Sequence, residues 1–291
     1  MSNKSPIFII GNPRSGTTLL RLLLTSHKDI VIPPESAFLV WWYDKYKDWT
    51  KQSVKNRLNS YINDLISSKK FETWNIDKEK LKRYIKSENP DSYSALSSAV
   101  YKFYGISIGK KISRWGDKNN WYLNYIDLIH KLFPEVFFIH IIRDGRDVAG
   151  SYKKLNKLHI TNPYAPKLPD KIEDIALEWV TNLKKVNSSF ENLHWRNVLE
   201  AKYENLVDNP KKVLKSICGS LDVSYDPNML NFYKYNKEMK LEPTSFMKWK
   251  GKTFENIDKH AIGNFKKYLT RREINSFENL TKERLRHYGY L

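Results

Sequence analysis

Eight residues, Gly11-Asn12-Pro13-Arg14-Ser15-Gly16-Thr17-Thr18, follow directly on the apolar run Ile7-Phe8-Ile9-Ile10. The pattern predicts a buried strand, a glycine-bounded turn, and a helix that begins near Thr17 and runs through Leu19 to Leu24. Glycine lets the backbone fold back tightly, so successive N–H groups converge on one concavity. The helix N-terminus adds its positive dipole end. Such a loop suits phosphate or a related oxyanion. The G-x4-G spacing matches the nucleoside-triphosphate loop G-x4-G-K-[ST], but Thr17 stands where that loop has lysine. The cation is Arg14, inside the loop. An anion is held here without the lysine that bridges the outer phosphates of ATP or GTP.

A second apolar run, Val136 to Ile142, suits a parallel strand covered on both faces. It ends at Arg143-Asp144-Gly145-Arg146-Asp147, and Val148 to Tyr152 reads as the opening of a helix. Ligands of open α/β sheets bind at the carboxyl ends of the strands, which puts Arg14 and Arg143 along one edge of one sheet. A Mg²⁺-dependent nucleotide enzyme calls for an aspartate at such a strand end. Arg143 stands there instead, and an arginine recognises an oxyanion directly, which argues against a metal. The seven histidines and single cysteine show no metal-ligand spacing. Taken alone, the segment favours surface pairs of Arg143 and Arg146 with Asp144 and Asp147; the Arg14 loop reverses the balance toward an anion.

P-R-S-G-T-T after the first strand, followed by R-D-G-R-D-V-A-G-S, resembles the sulfotransferases that use 3′-phosphoadenosine 5′-phosphosulfate (PAPS). The resemblance implies that Arg14, Ser15, Gly16, Thr17 and Thr18 hold the 5′-phosphosulfate. It assigns the 3′-phosphate to Arg143 and to Ser151, eight positions later. Lys202-Tyr203-Glu204-Asn205-Leu206 with Pro210 is similar to the family's Y-E-x-L-x-x-x-P, whose tyrosine lies near the adenine. Ile262 to Lys267 is similar to its late G-x-[WF]-K element, which adds Gly263 and Lys266 to the donor set. Arg14 and Leu19 give the chain the flavour of the tyrosylprotein and bacterial enzymes rather than the cytosolic phenol and steroid enzymes, which begin P-K-S-G-T-T-W. The implied fold is α/β: a single P-loop-like domain over 1–291, with a mostly parallel sheet flanked by helices. About 37–110 is a helical acceptor-binding region within it.

Sulfuryl transfer asks for a base at the acceptor hydroxyl and positive charge at the sulfonate and the leaving bridging oxygen. By resemblance, Glu35, after Ile30-Val31-Ile32-Pro33-Pro34, is the base. The resemblance likewise implies that Lys118, in Trp115-Gly116-Asp117-Lys118-Asn119, stabilises the bridging oxygen alongside Arg14. Asp117 suits a cap on the following helix. His159 is a weaker candidate base, and His27 reads as a helix C-terminal residue facing the dipole.

The elements that must position these residues are legible from periodicity. Strands are expected at about 7–10, 111–115, 136–142 and 197–202, with a short extended piece near 30–32. Ile172, Ile175, Ala176, Trp179, Val180 and Leu183 make one amphipathic stripe, and Val54, Leu58, Tyr61, Ile62, Leu65 and Ile66 another. Leu123, Ile126, Ile129 and Leu132 suit a crossover helix before the second long strand. Trp41, Trp42, Tyr43, Tyr46 and Trp49 fit either a stacking surface for a sugar, phenol or lipid, or plain core.

The chain has 291 residues, one cysteine and a net charge of +18. No apolar run approaches the ~18 residues of a membrane span. Only Met1 to Pro6 precede the first strand, too few for a leader or stalk, so a cytoplasmic protein is expected, in keeping with a single cysteine. Cys218 falls in a helical apolar pattern and reads as core. The basic excess suits a polyanionic donor, an anionic acceptor, peripheral contact with an anionic membrane, or a solvated lysine-rich surface. Lysine is spread rather than blocked, so nucleic acid is not expected. The alternatives to a PAPS-dependent enzyme are a P-loop nucleotide kinase or NTPase, and a non-enzymatic basic protein that binds nucleic acid or an anionic surface.

Overall fold

The computed structural model describes residues 5–194 and 196–291. Five parallel strands, β1 (Ile7–Ile10), β2 (Ile30–Val31), β3 (Arg114–Lys118), β4 (Phe137–Ile142) and β5 (Val198–Lys202), form one sheet in the order β2-β3-β1-β4-β5. Helices cover both faces, which is why β1 and β4 are apolar at nearly every position rather than alternating. Phe8, Ile10 and Phe138 point into one core, and Ile7, Ile9, Ile139 and Ile141 into the other. The chain leaves β1 for the far edge, returns to β3 on one side of β1, then crosses to β4 on its other side. That reversal opens a crevice above the carboxyl end of β1, where ligands of open α/β sheets bind.

Four of the five expected strands lie within a residue or so of their expected places. The third begins and ends three residues further on, at Arg114–Lys118. Lys118 is therefore the last residue of a strand and not the residue after one. The shift has a physical cause. Asp117 and Lys118 are fully buried polar residues in a strand, and their polarity masks it. Nor does Asp117 cap a helix. Asn119 does that for the short 3-10 turn Asn120–Asn124, accepting from Trp121 N. Asp117 instead accepts from Tyr101 Oη, from Tyr122 Oη at 2.8 Å and from the Lys118 amide at 2.6 Å.

Burial pushes the Asp117 carboxyl up to about 7, against the pull of those hydrogen bonds. A carboxyl whose folded pKa exceeds its unfolded one stabilises the fold fully at low pH. It loses that contribution as pH rises from the ordinary carboxylate range through about 7. Asp117→Asn cannot ionise. Its melting temperature relative to the parent should rise between pH 5 and pH 8, and calorimetric melts across that range check it; parallel curves would refute the assignment.

The stripe from Val54 to Ile66 is two helices, Lys51–Asn56 and Leu58–Ser67, joined at Arg57. The helices Ile126–Leu132 and Ile172–Asn192 match the crossover and amphipathic patterns. Cys218 is buried in the helix Pro210–Ser220, its sulfur 3.8 Å from that of Met229. Among the described residues no helix is long and apolar enough to cross a membrane.

Candidate active site

Each strand delivers candidate residues to the same end of the sheet. β1 leads into the Gly11–Thr18 loop, β2 into Glu35, and β3 ends at Lys118. β4 is followed by Arg143 and β5 by Tyr203. A cavity of about 560 Å³ lies over these ends, lined among others by Arg14, Gly16, Thr17, Thr18, Glu35, Arg143, Ser151 and Tyr203.

The loop closes on itself through Ser15 N donating to Asn12 O at 3.1 Å. Gly16 caps the helix Thr17–Thr25 at φ 93°, a conformation that costs glycine least. A β-carbon there would also lie 2.4 Å from the Tyr203 ring, so the close approach of that ring requires glycine. Arg14 itself is left-handed, with φ 67°. Its Nε donates to Ser151 Oγ at 3.1 Å and its Nη1 to Trp249 O at 3.2 Å. Burial and then the neighbouring Arg143 lower the guanidinium pKa. Arg143 donates from Nη1 to Arg14 O at 3.1 Å and from Nη2 to Ala261 O at 2.9 Å. It lies 4.3 Å over the Tyr203 ring, with Asp147 at 3.9 Å. Arg143 Nε and Ser15 Oγ are buried with no hydrogen-bond partner among the described residues.

Arg146, the second arginine of R-D-G-R-D, takes no part. It pairs with Asp144 at 2.8 Å and Glu278 at 2.6 Å. Asp147 ties the late element down, accepting from Gly263 N at 2.8 Å and Phe265 N at 2.9 Å. Gly263, at φ 71°, makes the turn. Neither Gly263 nor Lys266 lines the cavity; Asn264 and Phe265 do, and Lys266 is exposed. His159 is also exposed and does not line the cavity. His27 is buried, its Nε2 2.8 Å from Ser224 O.

Glu35 sits among cations. Lys118 contacts its Oε1, Lys70 Nζ lies 2.7 Å from Oε2, and Lys250 Nζ is 3.9 Å from Oε1. Burial alone would raise the carboxyl pKa. Lys118, Lys250 and Lys70 together outweigh it and hold Glu35 well below the usual carboxylate range. Lys118 is fully buried and also donates to Thr18 Oγ1 at 3.1 Å, so it underlies the cavity rather than lining it. Burial lowers its pKa to about 8, partly countered by Glu35.

Lys70 and Lys250 were not foreseen. In a chain with 50 Lys and Arg no spacing singles them out. The aromatic cluster divides: Tyr46 and Trp49 are core, whereas Trp41 is exposed and packs on Trp121, ring centroids 5.8 Å apart. Trp41 and Trp121 line a second cavity of about 370 Å³ with Lys69, Lys70 and Lys167. Lys70, Tyr164 and Pro166 line both cavities. Among the described residues no cluster of His, Cys, Asp and Glu could hold a metal ion.

Comparison with known proteins places this geometry. The chain is 26% identical over 232 residues to protein-tyrosine sulfotransferase A of Caenorhabditis elegans, covering 77% of this chain and 52% of that protein. It thus spans about half that relative's length. The sulfotransferase domain of the Synechococcus PCC 7002 olefin synthase superimposes with a TM-score of 0.60 at 21% identity, covering 97% of both chains. Mouse sulfotransferase SULT7A1, complexed with PAP, gives 0.51 at 16% identity, over 98% of this chain and 86% of that one. These two likenesses are likenesses of fold. A model of the sulfotransferase family matches residues 6–227, a span that holds all five strands together with the Arg14 loop, Glu35, Lys118, Arg143, Ser151 and Tyr203. The chain belongs to the sulfotransferase family.

Proposed function

We propose that this protein transfers a sulfuryl group from PAPS to a hydroxyl acceptor and releases 3′,5′-ADP. One observation carries the reading: Arg14 and Arg143 come together at the Arg14 loop, Arg143 donating to the Arg14 carbonyl and lowering the pKa of its guanidinium, while the buried Arg143 Nε and Ser15 Oγ have no hydrogen-bond partner among the described residues. A buried charge-assisted donor without a partner is costly, and a phosphorylated ligand supplies the missing acceptors. Ser15, Gly16, Thr17 and Thr18 cradle the 5′-phosphosulfate. Arg143 and Ser151 take the 3′-phosphate, Tyr203 packs near the adenine, and Gly263 and Lys266 belong to the element that closes over it.

In the reaction the acceptor oxygen attacks sulfur in line and the bond from sulfur to the bridging phosphate oxygen breaks. The acceptor proton passes to Glu35 and then to solvent. Arg14 and Lys118 offset the charge that develops on the bridging oxygen. The lysines that depress Glu35 keep it ionised before the donor binds. The donor's own negative charge then raises its basicity where the proton must be taken. No step requires a metal.

The acceptor enters through the cavity lined by Trp41 and Trp121, within the 37–110 region and the 120s turn. The indole faces suit a flat ring, and Lys69, Lys70 and Lys167 favour an acceptor that carries negative charge. The lone buried Cys218 fits a cytoplasmic setting. A kinase reading would need a cation at Thr17, whose hydroxyl instead donates to Asn120 Oδ1 at 3.0 Å.

Calorimetric titration with 3′,5′-ADP beside ADP and ATP, without metal, tests the donor. We expect a strong preference for 3′,5′-ADP. Arg143→Ala should weaken its binding by about 1.5–3 kcal/mol, roughly 10- to 150-fold, through the lost charge-assisted bonds, and should leave ADP nearly unaffected. Equal affinity for the three nucleotides would refute the donor class.

A further inference from the structure

Lys250 belongs to neither the donor set nor the acceptor set. It ends the short helix Met247–Lys250, in a segment that crosses the donor loop and is pinned there by the bond from Arg14 to Trp249 O. Its side chain is 9% exposed. Its ammonium lies 3.0 Å from Glu242 Oε2 and 3.9 Å from Glu35 Oε1. Glu242 is completely buried and is held from the other side by Arg21, Nη2 to Oε1 at 2.6 Å. Arg21 belongs to the helix that starts at the donor loop and donates from Nη1 to Ile32 O at 3.0 Å. A row of alternating charges, Arg21, Glu242, Lys250, Glu35 and Lys118, therefore runs from behind the loop through the covering segment into the cavity.

We propose that Lys250 is a positioning residue for Glu35. The buried Arg21–Glu242 pair fixes its ammonium where it keeps the Glu35 carboxylate ionised and in place.

A lysine on a four-carbon stem is mobile unless its head is anchored, and Glu242 is the anchor. The other cations that face Glu35 come from different elements. Lys118 comes from β3, Lys70 from the turn before Phe71–Trp74, and Arg14 from the donor loop. Glu242 is the nearby carboxylate; burial and Glu35 push its pKa up, and Lys250, Arg21 and Lys118 outweigh them. Of the three lysines, Lys118 belongs to the sheet and Lys70 to the turn before Phe71–Trp74, whereas Lys250 rides on the covering segment that Arg14 bonds through Trp249 O. The charge state of Glu35 is thereby tied to that segment's placement over the loop. The proposal rests on Glu35 being the base, but its test does not require turnover.

Protein labelled with [13Cδ]glutamate would be titrated by NMR from neutral pH downward. The Glu35 resonance is identified by its absence in Glu35→Gln. Removing a facing cation destabilises the carboxylate, so in Lys250→Met the Glu35 midpoint should move up by about 1–3 pH units. Lys250→Arg should restore most of the shift. Lys250→Gln, which keeps a hydrogen bond to Glu242, replaces the methionine variant if that one folds poorly. An unmoved midpoint in a folded variant overturns the proposal. A moved midpoint combined with full turnover in Glu35→Gln would sink the base assignment and leave Lys250 as the residue that holds Glu35.

Discussion

Glu35→Gln is expected to lower kcat by about 10²- to 10⁴-fold, the range lost with a general base. Glutamine keeps the shape and still accepts a bond from Lys118, but it cannot take the acceptor's proton. The donor side should respond in the opposite sense. Glu35 puts a negative charge in a cavity that binds an anion, so its removal should hold or tighten the affinity for 3′,5′-ADP. Lys118 is left without its closest carboxylate. With a pKa already near 8, it can shed its proton rather than unfold the chain. Single-turnover transfer from labelled PAPS, beside 3′,5′-ADP calorimetry, separates the two effects. A rate within a few-fold of the parent would rule out Glu35 as the base. Weakened nucleotide binding would mean that Glu35 acts mainly through structure.

Arg21→Met should cost about 3–5 kcal/mol of stability, the range for breaking a buried pair from one side. The corresponding fall in melting temperature is on the order of 10 °C. Arg21 and Glu242 are both fully buried, and the arginine also bonds the carbonyls of Ile32 and Leu241. Its loss leaves Glu242 with Lys250 as the remaining cation at 3.0 Å. The double variant Arg21→Met/Glu242→Leu removes both charges and should recover much of the loss, since apolar replacements of buried pairs are often neutral. Burial would raise the Glu242 carboxyl, but Lys250 and Arg21 bring it below the ordinary range. A carboxyl with a depressed folded pKa contributes stability above its unfolded value and loses it as pH falls through the folded one. The single variant should therefore show a weaker acid dependence than the parent. Thermal melts of the three proteins at neutral and mildly acidic pH check this. A single variant as stable as the parent would mean that the pair does not hold the fold.

The site was legible wherever residues stand beside an apolar strand. The Gly11–Thr18 loop and Arg143 could be placed because β1 and β4 are buried on both faces and read as unbroken apolar runs. Glu35 was placed by resemblance, on the two prolines that end a short extended piece. The third strand misled because its last two residues are Asp117 and Lys118. Buried charge in a strand imitates a loop until its partners are known, and those partners, Tyr101, Tyr122, Thr18 and Glu35, come from four other parts of the chain. Gly263 and Lys266 stand in a recognisable element, yet the cavity is met by the adjacent Asn264 and Phe265. Gly263 provides the turn that lets Asp147 take two backbone amides.

Local pattern alone therefore determined β1 and β4, the glycine-bounded loop after β1 and the arginine after β4. Each depends on neighbours in sequence: an apolar run, a glycine that can turn, a helix start. Tertiary structure alone decided which of the many lysines surround Glu35, that Arg21 and Glu242 are a buried pair, and that Trp41 leaves the core while Tyr46 and Trp49 remain in it. Those outcomes are set by contacts between residues tens to hundreds of positions apart, where one lysine in sequence looks like any other. What distinguishes Lys70, Lys118 and Lys250 is the low-dielectric cavity that the fold assembles around them, where a facing charge acts far more strongly than in water.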